Sequence, residues 1–181
     1  MVKENLLINK QKYTFLPYNK QYLSMFLKEK NKIEKSLGEN IKMEHVGSTS
    51  VPKLGGKGII DIAIKTPRNK LDQFLKKLHK LGYEHNLEHQ RNNKRVFLQK
   101  KIRYGGKERR IHIHLTLDDK FWNSFIVLRE YLRNHEKERD KYAKLKRKAT
   151  KFAKGNGKKY REYKDKFLNN LTKQALKKKS T

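Results

Sequence analysis

The first residues whose types and spacing could do chemistry run from Gly47 to Ser50, where a glycine and three hydroxyl-bearing residues follow a predicted strand. A glycine lets the backbone approach a phosphate closely, and the N–H groups and hydroxyls at the start of a helical turn donate hydrogen bonds to phosphate oxygens. We therefore predict that Gly47, Ser48, Thr49 and Ser50 bind a nucleotide, and that Lys57 neutralises one of its phosphates.

Asp61 is a second candidate, because it lies inside the apolar run 59–64. A carboxylate within a buried strand is costly unless it is paired or bound to a metal. Mg²⁺ is the natural companion of a nucleotide, since it binds one or two carboxylates together with substrate phosphates. Asp61 is therefore predicted to be a metal ligand.

The elements that must position these residues alternate between helical and strand periodicity. Helical spacing of apolar residues ends at Gly38 and again at Gly82, and the glycine pair 105–106 predicts a hairpin turn between two strands. The predicted strands cover 41–46, 59–64, 95–102 and 110–117, a short helical turn is predicted at 51–54, and helices are predicted from 119 onward. This order predicts an α+β or mixed α/β fold with a small sheet, followed by a helical bundle.

Length and composition narrow the classes of protein further. The chain has 181 residues, which fits one domain or one domain with a helical appendage, and it has no cysteine, which excludes disulfides, thiolate zinc sites and cysteine nucleophiles. No apolar run is long enough for a transmembrane helix. The first residues lack the apolar stretch of a signal peptide, so the cytoplasm is the expected compartment.

A net charge of +29, from 47 basic and 18 acidic residues, is extreme for a small enzyme that acts on a small metabolite. A surface this positive attracts polyanions, chiefly nucleic acid. One helical face concentrates the charge, with Tyr142, Leu145, Ala149 and Phe152 predicted to form the opposing stripe that packs on the core. The lysines predicted to bind nucleic acid are Lys137, Lys141, Lys144, Lys148 and Lys151, which step by four, three, four and three residues.

Several segments together resemble the GrpB-like family of the DNA polymerase β-like nucleotidyltransferase superfamily, over roughly residues 15–175. The segments that carry the resemblance are 44–54 (EHVGSTSVPKL), 57–62 (KGIIDI), 112–115 (HIHL), 129–133 (REYLR) and the helix that includes 142–146 (YAKLK). The resemblance implies a minimal nucleotidyltransferase fold, in which a short mixed sheet is flanked by helices and C-terminal helices complete the domain. It does not supply a substrate.

One residue departs from the superfamily pattern. A second carboxylate is expected two residues after Asp61, but that position is Ala63. A two-metal clamp needs several anionic ligands. His112 and His114 point to one face of their strand, so they are predicted to complete the site with Asp61 as catalytic residues and metal ligands if the hairpin neighbours Asp61. One of them could act as a general base, and Glu44 and His45 are further candidates.

We therefore predict an α+β protein that is a metal-dependent nucleotidyltransferase using Mg²⁺ or Mn²⁺. It moves a nucleotide from a nucleoside triphosphate to an acceptor hydroxyl, expected to be the 3′ end of a tRNA-like RNA. Residues 1–118 are predicted to form the core, with the basic helices of 119–181 packed on it as one structural unit. Three alternatives stay open: a non-catalytic RNA-binding module on a degenerate transferase fold, a transferase for a small-molecule or protein hydroxyl, and an enzyme that makes signalling nucleotides. The oligomeric state is left open, and no membrane partner is expected.

Overall fold

The computed structural model describes residues 14–38, 41–85 and 95–179. The first residues of the chain, from which the compartment was predicted, lie outside the described residues. The helices are α1 (Gln21–Leu37), α2 (Leu71–Lys80), α3 (Asp119–Asn134), α4 (Glu136–Ala153) and α5 (Gly157–Lys179), and the strands are β1 (Met43–Val46), β2 (Ile60–Lys65), β3 (Glu84–His85), β4 (Arg95–Tyr104) and β5 (Lys107–Thr116).

The five strands form one mixed sheet in the order β1-β2-β5-β4-β3. The central pair β2 and β5 is parallel, whereas β1 pairs with β2, β4 with β5 and β3 with β4 in antiparallel fashion. Gly105 and Gly106 make the tight turn between β4 and β5, and both have positive φ angles, of 55° and 74°, as a two-residue hairpin loop requires. The predicted α+β class with a small mixed sheet is confirmed.

The register of β2 and β5 fixes which side chains share a face of the sheet. Asp61 pairs with His112 and Ala63 pairs with His114, so all four point to one face because side chains alternate along a strand. The intervening isoleucines and leucines of both strands point to the opposite face and are fully buried. There they form the main core with α1 and α2.

The last three helices cover the face of the sheet that carries Asp61. They share a second apolar cluster with the loop after β1, to which that loop contributes Val51 and Leu54. The loop forms its helical turn at Ser48–Ser50 rather than at the predicted 51–54. The space left between α3, α5 and the sheet is the cleft that contains the candidate site. None of the helices described by the structure is long and apolar enough to cross a membrane.

Helix α4 buries a different stripe from the predicted one. Phe152 is 58% exposed, so its predicted place in the core is wrong. The buried positions are Arg139, Tyr142, Lys146, Ala149 and Ala153, which follow one another by three, four, three and four residues on one helical face. The two alanines pack against Tyr160 of α5, and this close approach of the helices leaves no room for a phenylalanine.

Candidate active site

A carboxylate and two imidazoles meet on the sheet at the floor of the cleft. Nδ1 of His112 lies 3.2 Å from Oδ1 of Asp61, and Nε2 of His114 lies 3.4 Å from the same oxygen. The parallel pairing of β2 with β5 brings these residues together from positions about fifty apart in the chain. The sequence-based expectation that the hairpin neighbours Asp61 is therefore confirmed.

The ionisation states follow from this geometry. Burial alone would raise the pKa of Asp61, but the hydrogen bonds from His112 and His114 outweigh it and hold that pKa far below its usual value. Burial lowers the pKa of His114, and the positive charge of Arg95 adds to the lowering. At neutral pH we therefore expect an ionised Asp61 that accepts a hydrogen bond from the neutral imidazole of His114.

The two imidazoles face Asp61 through different ring nitrogens. Nδ1 of His114 lies 3.4 Å from a guanidinium nitrogen of Arg95, so His114 is held at both nitrogens, accepting at Nδ1 while Nε2 donates to Asp61. In His112 it is Nδ1 that lies next to Asp61, and both rings line the cleft.

Gly47 brings the turn after β1 into contact with Asp61. Its φ angle is 70°, and a Cβ built there would lie 2.4 Å from Oδ2 of Asp61. Only glycine combines that backbone conformation with such a close approach. Gly47 and Ser48 both line the cleft, and their role in nucleotide binding stays a prediction.

The hydroxyls of Thr49 and Ser50 hold the turn together instead of facing the cleft. Thr49 donates to the carbonyl of Ile59 over 2.9 Å and accepts from His45, and Ser50 donates to the carbonyl of Gly47 over 2.7 Å. Both residues are buried. Their prediction as nucleotide-binding residues therefore finds no support in this geometry, and we assign both to the structure of the turn.

Two lysines bring positive charge into the cleft. Lys57 lies over the ring of Tyr160, with Nζ 4.8 Å from its centroid, and Lys146 donates a hydrogen bond to the carbonyl of Gly55. Burial lowers the pKa of Lys57 to about 8 and that of Lys146 to about 7, although the negative charge of Asp61 opposes both changes. An anionic ligand in the cleft would favour the charged form of both.

Lys146 lines the cleft and is a candidate that the sequence analysis did not single out. It is only 3% exposed, and a Cβ added to Gly56 would lie 2.6 Å from Oγ of Ser48 and 3.2 Å from Nζ of Lys146. The hydroxyl and the amine therefore share one corner of the cleft. The signal was present in the spacing, because Lys146 lies four residues after Tyr142 and three before Ala149, on the stripe that α4 buries.

The cleft has a volume of about 700 Å³, and its two walls differ in character. Helix α3 contributes an apolar wall, in which the rings of Phe121 and Phe125 lie 5.4 Å apart. Helix α5 contributes a polar wall. The residues of α5 that line the cleft are Tyr160, Arg161, Lys164, Asp165, Leu168, Asn169, Thr172 and Lys173.

The remaining sequence candidates, Glu44 and His45, serve the scaffold. Arg129 of α3 donates to the carboxylate of Glu44 over 2.7 Å and to the carbonyl of His45 over 2.8 Å. The His45 ring stacks on Phe26 in the core, where burial lowers its pKa to about 4. Arg133 donates to the carbonyl of Ser50. These bonds tie α3 to β1 and to the turn, and so fix the mouth of the cleft.

The arrangement of the donor side chains leaves the predicted metal ion a prediction. In residues 14–38, 41–85 and 95–179, no group of three or more histidine and acidic side chains is arranged to hold a metal. Both imidazoles hydrogen-bond to one oxygen of Asp61, and the position expected to supply a second carboxylate is the buried Ala63. Lys57 and Lys146 bring side-chain positive charge into the same cleft.

The five lysines predicted to bind nucleic acid are all exposed along α4. They lie on the face opposite the buried stripe, as the spacing predicted. Lys141 also pairs with Glu138 over 2.8 Å. Their exposure is confirmed, and their role in binding stays a prediction.

The contact between Gly47 and Asp61 predicts the effect of one added methyl group. Gly47→Ala should lower ligand affinity and any turnover at least tenfold, because the methyl group would displace the Asp61 carboxylate and the φ of 70° costs an alanine about 1–2 kcal/mol. Isothermal titration and turnover would measure this. Gly38→Ala is the matched control, since it has a φ of 111° with nothing within 4 Å. If Gly38→Ala lost as much function as Gly47→Ala, backbone strain rather than the clash would be the cause.

Comparison with known proteins agrees with this description. The model of the GrpB protein family matches residues 12–174. The UPF0157 protein YqkA of Bacillus subtilis is 30% identical over 141 residues, which make up 76% of this chain but 40% of that protein. The UPF0157 protein BH1888 of Halalkalibacterium halodurans is 30% identical over 138 residues, 75% of this chain and 68% of that protein.

Solved structures show the same relationship. The crystal structure of GrpB from Enterococcus faecalis superposes with a TM-score of 0.77 at 28% identity, covering 93% of this chain and 100% of that one. The Cid1 poly(U) polymerase reaches a TM-score of only 0.42 at 12% identity, over 80% of this chain and 49% of that one. With a family model that spans nearly all of the chain and a solved relative of the same fold, the chain belongs to the GrpB family.

Proposed function

We propose that this protein is a nucleotidyltransferase, which moves a nucleotide from a nucleoside triphosphate to an acceptor hydroxyl. One observation carries the proposal: the Asp61–His112–His114 cluster lies at the floor of the same cleft that contains Lys57 and Lys146. A proton acceptor, the half-buried amine of Lys57 and the buried amine of Lys146 within one cavity can stabilise the charge that develops when a phosphoryl-bearing group is transferred.

The lysines are proposed to bind the triphosphate. Lys146 shares its corner of the cleft with the hydroxyl of Ser48, and Lys57 lines the same cavity. Negative charge builds up on the pyrophosphate as it departs, and buried cations stabilise such charge more strongly than solvated ones. The apolar wall formed by α3 would accept the nucleobase, since ligand pockets combine an apolar lining with a few placed polar groups.

His112 is proposed to act as the general base. Its Nε2 takes the proton of the acceptor hydroxyl as the oxygen forms a bond to the α-phosphorus, and the bond from that phosphorus to the pyrophosphate oxygen breaks. Asp61 orients the ring through Nδ1 and stabilises the imidazolium that forms. His114, held between Asp61 and Arg95, keeps the carboxylate in place.

An RNA hydroxyl is the proposed acceptor. The support is electrostatic, because the chain carries a net charge of +29 and presents five exposed lysines along α4. Such a surface binds nucleic acid with an affinity that falls steeply as salt is added. A small-molecule acceptor would leave this charge without a role.

Label transfer tests the proposal. The protein is incubated with each of four α-labelled nucleoside triphosphates and a pool of small RNAs, in parallel reactions with Mg²⁺, with Mn²⁺ or with a chelator. We expect one nucleotide to label RNA, and we expect His112→Gln to slow the labelling about 10²- to 10⁴-fold. The control is His85→Gln, an exposed histidine on β3 outside the cleft, which should label RNA at the rate of the unsubstituted protein.

The chelator reactions show whether transfer needs a divalent metal, a question that the donor set leaves to experiment. Absence of label with every nucleotide and every metal would contradict the proposal. If RNA binding persisted in that case, the protein would be a binding module on a transferase fold, the function that Ala63 in place of a second carboxylate favours.

A further inference from the structure

Two aromatic side chains lie together on the surface near the junction of α4 and α5. Phe152 is 58% exposed and Tyr163 is 38% exposed, and their ring centroids are 5.1 Å apart. The other large hydrophobic side chains with comparable exposure in the described residues are aliphatic, Leu23 and Leu27 of α1. An exposed aromatic pair is therefore a distinct feature of this surface.

Packing does not account for the pair. The junction between α4 and α5 is already filled by Ala149, Ala153 and Tyr160, each at most 2% exposed. The contact of the two rings with each other leaves more than half of Phe152 open to solvent. Clustered exposed apolar surface with a charged surround commonly marks an interaction site.

Positive charge surrounds the two rings. On α4, Lys148 lies four residues before Phe152, and on α5, Lys159 and Lys166 lie four before and three after Tyr163, so each is a neighbour on the helix surface. All three lysines are exposed. The lysine face of α4, from Lys137 to Lys151, extends for roughly 21 Å at the rise of an α-helix and ends beside Phe152.

We propose that the aromatic pair and the lysine face of α4 form one binding surface for single-stranded RNA. Bases stack on Phe152 and Tyr163 while the lysines follow the phosphates. This combination of rings and cations is how proteins bind single strands, because every base has a face to stack and every nucleotide a charge to neutralise. The inference rests on the proposed function only in naming RNA as the acceptor.

A single strand fits better than a duplex or a membrane. Bases within a duplex are stacked on each other and cannot reach the rings, so a duplex would use the lysines alone. A membrane would need an apolar stripe along the helix, whereas the outer face of α4 carries lysines over its length and the rings lie at one end.

Fluorescence anisotropy with a labelled twelve-nucleotide oligouridylate and a blunt RNA duplex of equal length tests the proposal. We expect the double variant Phe152→Ala, Tyr163→Ala to bind the single strand about 5- to 100-fold more weakly and to bind the duplex unchanged. Leu23→Ala, which removes exposed apolar surface on α1, should bind both as the unsubstituted protein does. Thermal unfolding confirms that the variants are folded.

The lysines have a separate readout. Lys148→Met should lower the slope of log affinity against log salt by about 0.7 for the single strand, whereas the aromatic variant should keep the slope of the unsubstituted protein. Unchanged binding by the aromatic variant would overturn the proposal. So would an equal loss of affinity for the duplex. No nucleoside triphosphate is present, so failure here is distinct from failure of nucleotide transfer.

Discussion

Asp61→Asn should reduce nucleotide transfer about 10⁴-fold, the loss found when the carboxylate of an aspartate–histidine pair becomes an amide. The present carboxylate accepts from both His112 and His114 at one oxygen. The amide is neutral and carries two donors, so an amide turned with its NH2 group toward the rings would favour the wrong imidazole tautomer. It would also leave the protonated His112 without a neighbouring negative charge. Single-turnover label transfer measures the loss.

The matched control is Asp72→Asn, which makes the same chemical change on the exposed surface of α2 and should transfer at the normal rate. Oligonucleotide binding by Asp61→Asn should equal that of the unsubstituted protein, because the lysine face of α4 is separate from the cluster. Normal turnover by Asp61→Asn would contradict the assignment of His112 as the base. Loss of both transfer and RNA binding would indicate a folding defect, which thermal unfolding would detect.

Much of this site could be predicted because its parts are local. The apolar run around Asp61 predicts a buried strand, and the alternation at His112 and His114 fixes their common face regardless of tertiary context. The glycine pair at 105–106 predicts the hairpin. What joins these parts is the parallel register of β2 with β5. That register is a long-range property, which the sequence alone does not determine.

The residues that were misplaced show where local patterns fail. The residue type alone does not show whether a hydroxyl binds a ligand or a backbone group of its own turn. The hydroxyls of Thr49 and Ser50 donate to backbone carbonyls. Phe152 has the spacing of a core residue, but the close packing of α4 on α5 leaves its place to Ala153. Lys146 was not predicted, because a lysine is normally exposed. Its position on the same helical face as Tyr142 and Ala149 is the signal that it is buried.

Lys146→Met should make the protein more stable and its nucleotide binding weaker. Burial lowers the pKa of Lys146 from 10.5 to about 7, a difference that corresponds to several kcal/mol against the charged form. The hydrogen bond to the Gly55 carbonyl that the variant loses is worth only about 1 kcal/mol. At pH 6 the free energy of unfolding of Lys146→Met should therefore exceed that of the unsubstituted protein by about 1 kcal/mol or more, which raises the unfolding midpoint by about 2–4 °C.

The dependence on pH has a definite sign. The unfolded chain binds the Lys146 proton up to its usual pKa of 10.5 whereas the folded chain releases it above about 7, so the stability of the unsubstituted protein should rise with pH between these values. In Lys146→Met, stability should lack the increase with pH that Lys146 contributes. Calorimetry at a series of pH values would show the difference.

We expect the ammonium group of Lys146 to bind a phosphate group of the ligand. Pyrophosphate should raise the unfolding midpoint of the unsubstituted protein, and its affinity for Lys146→Met should fall about 10- to 100-fold, the value of a hydrogen bond to a charged group. Lys144→Met, two residues away on the exposed side of α4, should change neither quantity. Greater stability together with undiminished pyrophosphate binding would show that Lys146 does not contact the ligand. A loss of stability would show instead that its bond to Gly55 outweighs the burial of its charge.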